Sequence, residues 1–146
     1  WSAILFNHEY PLRQNNFIFK KIVDNLQKIK KNDRHKLIVG NIEIKRDWGW
    51  APEYMEACHK ILTSKKSNDY LIATEKTVKL KKIISLFFEN YGLNWKKYTI
   101  QNKKYYRNFE IKENYADTKK IRNNLKWKAK FNYLDIVKKL INKDIY

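Results

Sequence analysis

The chain has 146 residues, a length that suits one domain or part of a larger one. It carries 32 lysine and arginine residues against 15 aspartate and glutamate residues, a formal net charge of +17. This charge favours polyanionic partners such as nucleotides or nucleic acid. The single cysteine, Cys58, excludes an internal disulfide and is consistent with a reducing, cytoplasmic location. No apolar run reaches the roughly eighteen residues of a membrane span, so no membrane partner is expected.

Four short segments have the apolar patterns of β-strands. Residues 2–6 and 70–73 are nearly continuous apolar runs, which is typical of buried parallel strands. Residues 36–39 form a third predicted strand, and residues 95–100 form a weaker fourth one. Residues 7–15 are polar and contain a proline, so they predict a loop.

The predicted helices follow from apolar side chains at intervals of three or four residues. Their predicted inner faces are Ile18, Ile22, Val23, Leu26 and Ile29; Met55, Cys58, Ile61 and Leu62; and Leu80, Ile83, Ile84 and Phe87. Pro52 suits the start of the second helix, and Gly92 suits the end of the third. Residues 118–125 predict a short helix, and Asn132 with Asp135 resembles a capping box for a last one. Asn15 or Asn16 is the candidate cap of the first helix, and the alternation of strands with helices indicates the α/β class.

The stretch GNIEIKRDWGWA, residues 40–51, holds two of the three glycines and an isolated Arg–Asp pair. Arg46, Asp47 and Trp48 lie where a strand region meets a predicted helix, a position that suits binding residues. The planar guanidinium of Arg46 can bind a phosphate or carboxylate with two hydrogen bonds, and Asp47 could orient it. The alternative is a surface Arg–Asp pair beside a structural tryptophan, and these residues alone favour that alternative.

Signatures of catalysis and of metal binding are absent from the sequence. The glycines are too few and too scattered for a phosphate-binding loop, and His8, His35 and His59 are too far apart to predict a metal site. Tyr115 and Lys119 have a Tyr-x-x-x-Lys spacing, but Tyr115 precedes the predicted helix, and we interpret the spacing as coincidence. We therefore expect neither a catalytic residue nor a metal site.

Several motifs, in the same order, resemble one family. LFNHEYPLR (residues 5–13), GNIEIKRDWGWAPEYMEA (residues 40–57) and DYLIAT (residues 69–74) resemble the C-terminal part of the GDP-mannose 4,6-dehydratases, which are extended short-chain dehydrogenases/reductases. YYRNFEI (residues 105–111) and residues 114–127 follow the same order. The resemblance implies an α/β fold that combines the end of a Rossmann-like parallel sheet with the smaller C-terminal substrate-binding domain.

The resemblance also implies a set of ligand residues. His8 and Arg13 match family positions that contact NADP. The positions around the GDP-sugar are matched by Asn7, Ile18, Lys21, Arg46, Arg107 and Glu110. His8 has an alternative as a loop hydrogen-bonder, and Lys21 has one as a solvated helix lysine. The chain departs from the family pattern at Tyr10, Phe19, Lys20, Trp50 and Asn108, which leaves the sugar open.

In the family, the cofactor oxidises C4 of the sugar, water is eliminated across C5–C6, and hydride returns to C6. The family's cofactor loop, Thr–acid pair and catalytic Tyr-x-x-x-Lys lie upstream of the matched region. We therefore expect residues 1–146 to be a C-terminal substrate-binding part without its N-terminal cofactor-binding part, and the complete protein to be a cytoplasmic homo-oligomer. The alternative is a small basic nucleic-acid-binding protein, favoured by the charge and by aromatics among lysines at residues 96–98 and 103–106.

The isolated 146-residue chain is expected not to dehydrate GDP-mannose, because it carries no acid–base pair and no cofactor loop. The measurement is chromatographic detection of the 4-keto-6-deoxy sugar nucleotide after incubation with GDP-mannose and NADP. Formation of that product in a preparation free of other dehydratases would contradict the expectation.

Overall fold

The computed structural model describes residues 1–143, in which helices alternate with short strands. The strands are β1 (Ser2–Leu5), β2 (Asn7–Glu9), β3 (Leu37–Val39), β4 (Lys45–Trp50), β5 (Asp69–Ile72), β6 (Thr77–Lys79) and β7 (Thr99–Gln101). The helices are α1 (Ile18–Lys31), α2 (Ala51–Leu62), α3 (Leu80–Asn90), α4 (Trp95–Tyr98), α5 (Lys119–Leu125) and α6 (Tyr133–Asn142). None of these helices combines the length and the apolar character that crossing a bilayer requires.

The described strands pair in three small sheets, and parallel pairs predominate. β1 runs parallel to β5, β3 runs parallel to β7, and β2 runs parallel to β4. The other edge of β4 pairs with β6 in antiparallel fashion. Parallel neighbours need long crossover connections, which here contain the helices, so the α/β class is confirmed. The predicted parallel strand at residues 2–6 is confirmed as β1, and its Ile4 is 53% exposed.

Two apolar clusters hold these elements together. In the larger one, α1 and α3 pack near β4, and the ring of Phe19 lies 5.3 Å from that of Trp48 and 5.5 Å from that of Phe87. The smaller cluster joins α2, β5 and α5 around Tyr54 and Trp127, whose ring centroids are 6.2 Å apart. Burial of each such large side chain stabilises the fold by roughly 1.5–3 kcal/mol.

Three predicted elements differ from the structure. Residues 7–9 form a strand and not a loop, because their backbone pairs with β4; a strand this short and polar leaves no periodic signal. Residues 95–98 form a helical turn, with a strand only at residues 99–101. The N-cap of α1 is Phe17, which makes no side-chain cap hydrogen bond, so neither Asn15 nor Asn16 caps it.

The predicted inner face of α2 is wrong at two of its four positions. Met55 is 50% exposed and Leu62 is 71% exposed, whereas Tyr54, Ala57 and Ile61 are buried. The buried stripe is therefore rotated toward Tyr54, whose ring packs against the backbone of β4. The prediction counted aliphatic side chains, so it missed Tyr54, whose side chain carries a polar hydroxyl group.

The remaining helix predictions are confirmed. The predicted positions of α3 are all buried, and Gly92, with φ of 65°, lies just beyond the end of that helix. The predicted short helix is α5. The capping box of α6 is complete: Asn132 accepts a hydrogen bond from the first turn, and Asp135 accepts one from the Asn132 amide.

Gly49→Ala is expected to lower the free energy of unfolding by roughly 1–3 kcal/mol, because the core around it is fully packed. The added methyl group would lie 2.2 to 2.4 Å from ring and hydroxyl atoms of Tyr54. Urea denaturation of the intact natural protein measures the change. The control is Gly92→Asn, because asparagine tolerates a positive φ and a Cβ there meets nothing within 4 Å. A loss at Gly49 no larger than that of the control would contradict the prediction.

Candidate functional site

A cleft of 490 Å³ lies beside β2 and β4, bounded by the loop before α1 and by residues 105–110. It brings together seven of the eight ligand residues that the sequence predicted: Asn7, His8, Arg13, Ile18, Arg46, Arg107 and Glu110. The eighth, Lys21, does not line the cleft. Its ammonium group lies 5.2 Å from the centroid of the Tyr105 ring, so it supports a segment that does.

The pairing of β2 with β4 positions the floor of the cleft. Asn7 lies opposite Trp48, and His8 lies opposite Gly49. Successive side chains of a strand point to opposite faces of the sheet, so Arg46 and Trp48 line the cleft while Asp47 faces away from it. These residues lie within a six-residue strand that leads directly into α2, so the predicted position where a strand meets a helix is confirmed.

Arg46 is held by two hydrogen bonds in a largely buried position. Its Nη1 donates to the carbonyl oxygen of Lys45 at 2.7 Å, and its Nη2 donates to Glu110 Oε1, also at 2.7 Å. The side chains of Arg46 and Glu110 are only 11% and 19% exposed, so water screens this ion pair weakly. The predicted orientation of Arg46 by Asp47 is wrong: Glu110, 64 residues further along the chain, does this instead.

Asp47 is fully buried and has a structural role. Its carboxylate accepts hydrogen bonds from the Thr74 amide at 3.0 and 3.1 Å and from the Thr74 hydroxyl at 2.7 Å. Burial raises the pKa of Asp47, and the hydrogen bonds from Thr74 oppose that rise. The contact ties β4 to the segment after β5, so the alternative of a surface Arg–Asp pair is wrong as well.

His8 both bonds the backbone and lines the cleft. Its Nδ1 lies 3.0 Å from the carbonyl oxygen of Phe6. Because a carbonyl can only accept, Nδ1 carries the hydrogen, and in the neutral ring Nε2 is then an acceptor. The ring centroid lies 5.3 Å from that of Tyr54, which limits how the imidazole can turn.

Glu9 is a cleft residue that the sequence did not reveal. It lies on β2, is 3% exposed, and places Oε2 3.7 Å from Nε of Arg13. Burial raises the pKa of Glu9 to about 7, although the positive charge of Arg13 opposes the rise. The guanidinium carbon of Arg13 lies 3.3 Å from the centroid of the Phe17 ring. The one sequence signal was an acid and a base four residues apart, but such pairs are common in a chain with this charge.

Residues 103–110 approach the cleft because residue 40 is a glycine. A Cβ on Gly40 would lie 2.6 Å from the carbonyl oxygen of Tyr105. Arg107 follows, exposed and lining the cleft, without an ion pair to any residue in 1–143. Three guanidinium groups, those of Arg13, Arg46 and Arg107, therefore surround one cavity. Such groups bind phosphate oxygens with paired hydrogen bonds, so this arrangement suits a ligand with several phosphates.

Neither a metal site nor a Tyr-x-x-x-Lys pair on one helix face is present in the described residues. Within residues 1–143, no group of three or more histidine, cysteine, aspartate or glutamate side chains is placed to hold a metal ion. Tyr115 is 65% exposed and precedes α5, which begins at Lys119, so the two do not share a helix face. The structure confirms that Tyr115 precedes the predicted helix.

Solved structures share this fold. RMD from Pseudomonas aeruginosa, complexed with NADPH, superposes with a TM-score of 0.81 at 17% identity over 96% of this chain and 45% of that one. dTDP-glucose 4,6-dehydratase from Bacillus anthracis, in complex with NAD, gives a TM-score of 0.80 at 14% identity, over 96% and 42%. The chain therefore has part of the α/β fold of the extended short-chain dehydrogenases/reductases, as predicted.

Sequence relatives narrow this class to one family. The family model described as GDP-mannose 4,6 dehydratase matches residues 1–140. GDP-mannose 4,6 dehydratase 1 of Arabidopsis thaliana is 38% identical over 144 residues, and the Homo sapiens GDP-mannose 4,6 dehydratase is 29% identical over 161. Each match covers 99% of this chain, but only 40% and 43% of those proteins. The chain belongs to the GDP-mannose 4,6-dehydratase family and spans about two fifths of the length of these relatives. They give no support to the nucleic-acid-binding alternative.

Replacing Glu9 with glutamine is expected to remove a pH-dependent loss of stability. A carboxyl group whose pKa rises on folding, here from 4.5 to about 7, favours the folded state below pH 4.5, and this contribution disappears as the pH rises through 7. Relative to the parent, Glu9→Gln should therefore gain stability between pH 4.5 and 7, by about 3 kcal/mol, and show no further gain above that range.

Urea denaturation of the ligand-free intact protein across this pH range measures the difference. The control is Glu56→Gln, because Glu56 is an exposed glutamate on α2. If the stability difference between Glu9→Gln and the parent is the same at every pH, the burial of a titrating Glu9 is contradicted.

Proposed function

We propose that this chain is the substrate-binding part of a GDP-mannose 4,6-dehydratase, which converts GDP-mannose to GDP-4-keto-6-deoxymannose with NADP. The single observation that carries the proposal is the convergence of Arg46, Arg107 and Glu110 on one cleft. Family membership supplies the reaction, and the guanidinium groups supply what a GDP-sugar needs, because its diphosphate is an anion with several acceptor oxygens.

Arg46 is the residue best placed to bind the diphosphate. Its two protein contacts use one N–H on Nη1 and one on Nη2, out of the five that a guanidinium carries. The remaining N–H groups are available to phosphate oxygens without loss of the Glu110 ion pair. Arg107 is exposed at the rim of the cleft and can close on the other side of the diphosphate. Asn7 and Glu110 offer groups for sugar hydroxyls, and Ile18 and Trp48 form an apolar wall.

The donors near β2 fit one end of a nicotinamide dinucleotide. His8 presents Nε2 and Arg13 presents its guanidinium, and these groups suit ribose hydroxyls and phosphate oxygens respectively. When bound, NADP accepts a hydride from the sugar and returns it. We place most of the cofactor contacts in a part of the protein outside residues 1–146, because this stretch of sequence has no Gly-rich loop. We place the acid–base residues of the reaction there as well, because the chain covers only 40% of its Arabidopsis thaliana relative and resembles the C-terminal part of the family.

Arg46→Lys and Arg46→Ala are each expected to weaken the binding of GDP-mannose about ten- to a hundredfold. Lysine keeps the positive charge of arginine but lacks its planar arrangement of donors, so it cannot form the paired hydrogen bonds. Calorimetric titration of GDP-mannose into the intact natural protein measures the dissociation constant of each variant.

The matched controls are Arg34→Lys and Arg34→Ala, because Arg34 is an exposed arginine outside the cleft. Thermal melts identify any variant that no longer folds. If both Arg46 variants fold and bind GDP-mannose as the parent does, then Arg46 has a structural role and the proposed site is wrong.

A further inference from the structure

Glu9 is buried beside the half-buried Arg13, but the hydrogen bond between their side chains is not made. Oε2 of Glu9 and Nε of Arg13 are both buried, and neither has a hydrogen-bond partner in the described residues. The two atoms lie 3.7 Å apart, whereas a charge-assisted hydrogen bond between them would measure about 2.7–2.9 Å. Buried polar atoms without partners are rare in folded proteins, because losing water without a replacement costs free energy. The pair therefore lacks a component or a small movement that would complete it.

The surroundings of Arg13 restrict what that movement can be. One turn, in which the Arg13 amide donates to the Tyr10 carbonyl at 3.1 Å, places the arginine beside β2. A second turn, in which the Phe17 amide donates to the Gln14 carbonyl at 3.1 Å, brings the Phe17 ring onto the guanidinium. Stacking on this ring keeps the guanidinium group beside Glu9, so a small shift of Arg13 is enough to complete the pair.

The shape of a guanidinium group assigns its two ends to different partners. Nε carries one N–H near the stem, and the terminal Nη atoms carry four more at the far end. The Nε end of Arg13 faces Glu9, and among residues 1–143 no hydrogen bond occupies its Nη atoms. Arg46 differs, because its Nη2 already donates to Glu110. Arg13 is thus the cleft arginine with one end beside a buried carboxylate and the other end unoccupied.

We propose that Glu9 is a positioning residue for Arg13, and that the hydrogen bond between them forms when a phosphate group bound in the cleft occupies the Nη atoms. The phosphate draws the guanidinium into one orientation, and Glu9 Oε2 then accepts the Nε–H. The result is a continuous set of charge-assisted contacts from phosphate to Arg13 to Glu9. This inference rests on the proposed function, because it takes the ligand to be a phosphate of the nicotinamide dinucleotide or of the GDP-sugar.

The test is a double-mutant cycle in the intact natural protein, with NADPH and GDP titrated separately. The changes are Glu9→Leu, which removes the acceptor; Glu9→Gln, which keeps an acceptor oxygen without charge; and Arg13→Ala. With Arg13 present, Glu9→Leu should weaken binding of the phosphate ligand about tenfold, and Glu9→Gln about threefold. With Arg13→Ala in the background, both changes should alter binding less than about twofold, because Glu9 then has nothing to position.

The outcomes separate the inference from the proposed function. Coupling seen with NADPH supports positioning toward the dinucleotide, and coupling seen only with GDP supports the same role toward the GDP-sugar. If the Glu9 variants weaken binding equally with and without Arg13, Glu9 acts through the fold, and the inference alone is overturned. If Arg13→Ala binds both ligands as the parent does, the proposed contact of Arg13 is wrong, and the inference fails with it.

Thermal melts and the Glu56→Gln control exclude effects of general destabilisation. If Glu9→Leu does not fold, the cycle with Glu9→Gln still decides the question, since it predicts a threefold effect that disappears in the Arg13→Ala background.

Discussion

The cleft depends on the central position of β4, a strand of six residues with partners on both of its edges. Alternation along this strand sends Asp47 to one face and Arg46 and Trp48 to the other. On the first face, the Asp47 carboxylate accepts hydrogen bonds from Thr74 and ties the strand to the segment after β5. On the second face, Arg46 donates a hydrogen bond to Glu110 and lines the cleft. Shifting β4 by one residue would exchange these two faces and remove both contacts.

The electrostatics of the cleft differ from those of the chain as a whole. The net charge of +17 comes mostly from lysines, whereas the cleft combines three arginines with two largely buried carboxylates. Each carboxylate stands beside one arginine: Glu110 bonds Arg46, and Glu9 lies near Arg13 without bonding it. Arg107 has no such partner within residues 1–143. Glu110 restrains Arg46, and three arginines against two carboxylates leave a surplus of positive charge for a polyanion.

The proposed function divides the work of the protein between two kinds of residue. In this proposal, the residues that bind and orient the nucleotide sugar come from β2, from the start of α1, from β4 and from residues 105–110. The chain covers about two fifths of its relatives, and its described cleft residues contain no acid–base pair of the expected Tyr-x-x-x-Lys type. The division we propose therefore separates recognition of the ligand from the chemical steps.

Patterns in the sequence were enough to establish the α/β class, the helix faces of α1 and α3, the capping box of α6 and, through the ordered motifs, the family. These are local or periodic properties, because helix faces, caps and motifs are written in neighbouring residues. Contacts in the folded chain were needed to show that residues 7–9 form a strand, that Tyr54 lies in the core, that Asp47 bonds Thr74 and not Arg46, and that Glu9 is buried beside Arg13. Strand pairing and the burial of polar side chains depend on partners that are distant in sequence, such as Glu110 for Arg46. Local patterns in one sequence therefore do not identify those distant partners.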